Sequence, residues 1–105
     1  MKIPSKIRIG GQDIVICLVD HIAEEKLGQI CMAEGKMLIA KNFSTRRQSE
    51  SSKINTFIHE VVHGVLDIMG EIELSNNEKF VSTFSSFMVD VIEEIVKANN
   101  KNFKK

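Results

Sequence analysis

Residues His59-Glu60-Val61-Val62-His63 read H-E-x-x-H, and they lie inside a run with the periodicity of an amphipathic helix, Ile54 to Met69. This feature constrains the chain more than any other. Side chains four apart on a helix sit one turn apart on the same face, so both imidazoles can reach one metal ion. At about 100° per residue, with His59 at zero, His63 falls near 40°, Asp67 near 80° and Glu60 near 100°. Phe57, Ile58, Val62, Val65, Leu66, Ile68 and Met69 occupy roughly 160° to 340°. Such a helix buries its aliphatic side and gathers two histidines and two acids on the other. A carboxylate at Glu60 can accept a proton from a water held by that metal.

Two histidines do not complete a site, because a catalytic zinc takes three protein ligands and keeps one open position. Downstream acids supply the candidates: Glu78 in the first turn of a last helix, favoured, with Glu71 and Glu73 in the preceding loop as alternatives. A short connection makes the two helices antiparallel neighbours. Asp67, one turn beyond His63, is the candidate to orient that imidazole through its second ring nitrogen. Its other reading is an exposed acid paired with a lysine. His21, alone in a polar connection, reads as a surface residue.

The segments before this helix are rich in β-formers. Lys6–Ile9 and Gln12–Val19 flank Gly10-Gly11, a hairpin signal, and Leu27–Ala33 and Met37–Ala40 flank a turn containing Gly35. Asn42 and Ser44 are good N-cap residues for a long helix from about Thr45 to Met69, which Gly70 would close. Asn76 or Asn77 would cap the last helix, to about Val96, whose apolar residues Phe80, Val81, Phe84, Phe87, Met88, Val91, Ile92 and Ile95 read as core. Strands first and helices after predict an α+β fold, a small antiparallel sheet of hairpins packed on a helix pair. Met37–Ala40 is the expected sheet edge beside the active helix.

At 105 residues the chain is long enough for one core. It reads as one domain over residues 1–96 with a lysine-rich tail at 97–105. Zero formal net charge gives no global nucleic-acid footprint. No apolar run approaches the ~20 residues of a membrane span. The N-terminus lacks a signal-peptide core, so a cytoplasmic location is expected, with Cys17 and Cys31 as reduced thiols.

The hairpins, the segment H-E-V-V-H-G-V-L and the following N-E-K-F-V resemble the small zincin-like metallopeptidases of phages and prophages. These are similar to the bacterial ImmA/IrrE-type metallopeptidases that cleave regulatory repressors. The resemblance covers about Ile7 to Ile95. It implies that His59 and His63 bind zinc, that Glu60 is the general base, and that an acid on the next helix is the third ligand. The substrate implied is a phage or host regulatory protein. Such sequences often carry a second Glu four residues beyond the first, where this chain has Ser82. That departure supports an alternative, a catalytically inactive interaction module stabilised by zinc.

Overall fold

A computed structural model describes residues 1–103, with side chains placed as far as Asn100. Nine elements follow in order: β1 (Lys6–Ile9), β2 (Gln12–Val19), β3 (Gly28–Cys31), β4 (Lys36–Ala40), β5 (Asn42–Phe43), β6 (Arg46–Arg47), α1 (Glu50–Met69), α2 (Ile72–Ser75) and α3 (Glu78–Phe103). A 3-10 turn at Ala23–Glu25 lies between β2 and β3. The fold is α+β, as the order of apolar patterns predicts.

The main sheet has the order β1-β2-β4-β3 and is mixed, not purely antiparallel. Both expected hairpins form, β1 with β2 and β3 with β4. The connection over residues 20–27 is too long for a tight hairpin, so β3 is laid down one position out from β2. The return strand β4 then fills the gap and runs parallel to β2, with Cys17 opposite Leu38. The expectation that Met37–Ala40 forms an edge is therefore corrected. β4 is interior, with Met37, Ile39 and Ala40 fully buried, and β3 takes the edge.

The helical pattern also begins later than expected. Asn42 and Ser44 do not cap a helix but belong to the small β5–β6 hairpin, in which Ser44 takes a left-handed φ of 56°. The polar stretch up to Gln48 has no apolar face to bury, so nothing holds it helical. Ser49 caps α1 instead, its hydroxyl accepting the Ser52 N–H at 3.1 Å. At the other end Gly70 takes φ 80°, and its N–H reaches the carbonyls of Asp67 and Leu66, the left-handed stop that a glycine permits. Asn77 caps α3, its side-chain oxygen accepting the Phe80 N–H at 3.1 Å.

One face of the sheet, through Ile14, Ile16, Met37 and Ile39, packs on Ile54, Phe57 and Ile58 of α1 and Val89 of α3. Val62 and Leu66 of α1 meet Val81 of α3 in a second cluster. Two expectations about the core fail at its margins. Val65, Ile68 and Met69 of α1 are exposed, as are Phe84, Phe87, Val91 and Ile95 of α3. The helix pair has only one contact side, so the residues outside that arc face solvent. α3 continues through Phe103, past the Val96 boundary, so the stretch expected as a tail is helical that far. Lys104 and Lys105 lie outside the described residues.

β3 approaches α1 closely because residue 28 is glycine. A Cβ there would fall 2.5 Å from Thr56 Cγ2, 3.1 Å from Glu60 Cγ and 3.3 Å from the Leu38 carbonyl oxygen. Gly28→Ala is therefore expected to destabilise the fold by about 1–3 kcal/mol through overpacking, measured by urea unfolding. An unchanged midpoint would mean that β3 moves away at no cost.

Candidate metal centre

Each member of the H-E-x-x-H segment is placed by a different packing constraint. Aliphatic residues on the far side of α1 hold the helix against the sheet. The edge strand β3 and the helix α3 then close over the side that carries His59, Glu60 and His63. This face is not a solvated polar face: Glu60 and Thr56 are both buried. α2 and the Asn77 cap turn the chain back so that Glu78, the first residue of α3, arrives opposite the two histidines.

His59 Nε2 lies 3.2 Å from Glu78 Oε2, and His63 Nε2 lies 3.0 Å from Glu78 Oε1. One donor atom from each of the three residues falls within 4.8 Å of the others. The imidazoles meet edge-on, with centroids 4.9 Å apart. Donor atoms about 2.0–2.2 Å from a common tetrahedral ion would stand a little over 3 Å apart. The Glu78 carboxylate stands at that distance from both imidazoles, one oxygen toward each. His59, His63 and Glu78 could thus hold a metal ion.

No family model, no curated protein and no solved structure matches the chain. What the site can do must be read from its own atoms.

His63 Nδ1 is 3.1 Å from the hydroxyl of Ser75, which is buried at the end of α2. An Nδ1–H donated to that oxygen leaves the Nε2 lone pair free on the side of Glu78. Asp67, expected in this role, lines the same cleft without a hydrogen bond to His63. With Nε2 turned toward Glu78, the other ring nitrogen faces α2 rather than the next turn of α1. Nothing in the sequence marks Ser75 for this contact, since a serine before a cap reads simply as loop. Glu71 and Glu73 are exposed, outside the cluster, and His21 is exposed beside the Ser44 carbonyl at 3.4 Å.

Burial holds the His59 imidazole below its ordinary pKa. The neighbouring His63 acts in the same direction, while Glu78 opposes both. The neutral, lone-pair-bearing form that a metal requires is therefore favoured. Burial raises the Glu60 carboxyl to about 7; the Glu78 and Asp67 charges add to this and Lys26 opposes it. A carboxyl at that value is suited to exchanging protons near neutrality.

Histidines, Glu60 and Glu78 line a cleft of about 890 Å³. One wall is Leu27 with Gly28, Gln29 and Ile30 of β3, and another is α3 with Ser82, Ser85 and Ser86. Ala40 N–H donates to the Leu27 carbonyl at 2.9 Å. By antiparallel alternation, the main-chain groups of Gly28 and Ile30 then face the open edge of the sheet. The cleft therefore combines a three-donor cluster, a buried carboxyl and the open edge of a strand.

Proposed function

We propose that the protein is a zinc-dependent peptide hydrolase. The observation that carries this reading is the convergence of His59 Nε2, His63 Nε2 and the Glu78 carboxylate beside the buried carboxyl of Glu60. Two imidazoles and one carboxylate suit zinc and leave it one ligand short of four, as a catalytic centre requires. Zinc bound there would supply Lewis acidity, acidifying a water and polarising a carbonyl.

The protein's own groups supply the rest. Glu60 takes the proton from the attacking water at its carboxylate oxygen and returns it to the leaving amine. Ser75 holds the His63 ring in one tautomer and orientation. The free edge of β3 pairs with an extended peptide through the N–H and C=O of Gly28 and Ile30, laying the chain across the cleft. The resemblance to the ImmA/IrrE type extends the reading to a regulatory-protein substrate. The burial of Glu60 favours catalysis over a purely structural zinc, which has no use for a base.

The test is metal content after purification with zinc supplied. About one zinc per chain is expected in the wild type, with loss in His63→Ala and in Glu78→Ala. Zinc retained by Glu78→Ala would remove Glu78 from the site, and no bound metal in any sample would overturn the reading. Ser75→Ala is expected to weaken zinc binding by about 10–100-fold, measured by competition with a chelator. An unchanged affinity would show that the Ser75 contact does not position His63.

A further inference from the structure

α3 carries more apolar surface than the fold uses. Its inner arc, through Val81, Met88, Val89 and Ile92, packs toward α1 and the sheet. A second arc holds Phe80, Phe84, Phe87, Val91 and Ile95, spaced 4, 3, 4 and 4 residues apart, so that all five share one face. Phe84 is 45%, Phe87 66%, Val91 52% and Ile95 54% exposed. The Phe80 and Phe84 rings stack with centroids 5.7 Å apart. Beside them Phe80, Thr83, Phe84 and Phe87 line a shallow groove of about 370 Å³.

We infer that this outer face of α3 is a two-fold interface with a second copy of the same chain, the two α3 helices running antiparallel. The order of side chains along the stripe argues for the antiparallel arrangement. Turning the helix end for end about a point between residues 87 and 88 sets Phe80 against the partner copy's position 95 and Phe84 against its position 91. Large rings at the start of the helix thus meet smaller aliphatic groups from its second half, and the two Phe87 positions flank the axis. A parallel pair would instead crowd Phe on Phe at one end and leave the other end thin.

Area and charge agree with this occupant. Aromatic side chains carry about 150–250 Å² each, so the exposed parts of the stripe amount to roughly 400 Å² of apolar surface. An ordinary interface buries about 800 Å² per partner, a little over half of it apolar. A stripe of that size is comparable to the largest apolar patch of a typical monomer, which often serves in binding. The chain has zero formal net charge, so no long-range repulsion opposes pairing of two copies. The antiparallel arrangement brings Lys79 at the start of the stripe to within two residues, about 3 Å along the axis, of the level of the partner copy's position 94. Glu78 and Ser82 lie roughly 160° around the helix from Phe80, so pairing leaves the cleft open. The inference is independent of the hydrolase reading.

Sedimentation velocity on the full chain should show a dimer at micromolar concentration. Phe87→Asp should raise the dissociation constant by at least about 30-fold, the effect of losing a central anchor. Far-UV circular dichroism should be unchanged in that variant, since Phe87 lies outside the core. Cross-linking fixes the direction. Phe80→Cys mixed with Ile95→Cys should form an interchain disulfide on mild oxidation, and Phe80→Cys alone should not. A wild type that stays monomeric at 100-fold higher concentration would overturn the interface and indicate a different protein partner. A dimer untouched by Phe87→Asp, or cross-linking between two copies of Phe80→Cys, would also overturn it.

Discussion

Replacing Glu60 by Gln is expected to lower peptide hydrolysis by about 10²–10⁴-fold while leaving about one zinc bound per chain. The amide keeps the size and much of the hydrogen bonding of the carboxylate but cannot take a proton from water. Glu60 is buried on α1 against Gly28 of β3, and among the described residues no metal-ligand cluster includes it. The substitution therefore separates proton transfer from metal binding, which His63→Ala and Glu78→Ala cannot do. The measurement is cleavage of a degenerate peptide library, read by mass spectrometry, with zinc content determined on the same samples. Equal cleavage by the variant and the wild type would exclude Glu60 as the base. Loss of zinc together with activity would make Glu60 part of the metal's support instead.

Much of this site is legible in the chain because it follows from helical spacing alone. His59 and His63 lie one turn apart at any helix boundary, so their shared face survives the error in where α1 begins. Glu78 is legible for a related reason. A short connection leaves the next helix little choice but to start beside the C-terminal half of α1, and the first turn of that helix carries the acid. What spacing does not carry is the direction of each side chain. Asp67 stands at the right interval to support His63, yet the ring turns its free nitrogen toward Ser75, which is distant in pattern though near in space. The choice between β3 and β4 as the edge is likewise a tertiary matter. Both segments are β-rich and both hairpins form as the glycines predict. The slot that β4 occupies depends on how far residues 20–27 reach, and no local propensity records that. α3 misleads in another way. Its apolar residues cover about half the circumference of the helix, and periodicity cannot tell an arc that meets α1 from an arc that meets water or a second chain.

The same burial that suits Glu60 to proton transfer should make the metal-free fold sensitive to pH. Its carboxyl sits at about 7 when folded, against an ordinary value of 4.5. A folded pKa above the unfolded one means that the native state binds the proton more tightly. The contribution to stability is therefore fully present below about pH 4.5 and is lost as pH rises through about 7. At about 1.4 kcal/mol per pKa unit, the loss is on the order of 3 kcal/mol by pH 8. That is a large part of the total stability of a domain this size. In chelator-treated protein, Glu60→Gln should match the wild type near pH 4 and become progressively more stable than it toward pH 8, because the amide stays neutral throughout. Taking the difference between the two proteins at each pH cancels the titrating groups that do not interact with Glu60, and leaves Glu60 together with its coupling to Glu78, Asp67 and Lys26. Urea unfolding at intervals from pH 4 to 8 measures it. Adding zinc should shrink the gap at high pH, since a dication beside the carboxylate offsets the cost of its charge. A difference that stays flat across this range would show that Glu60 is solvated in the metal-free protein and ionises as an ordinary carboxylate.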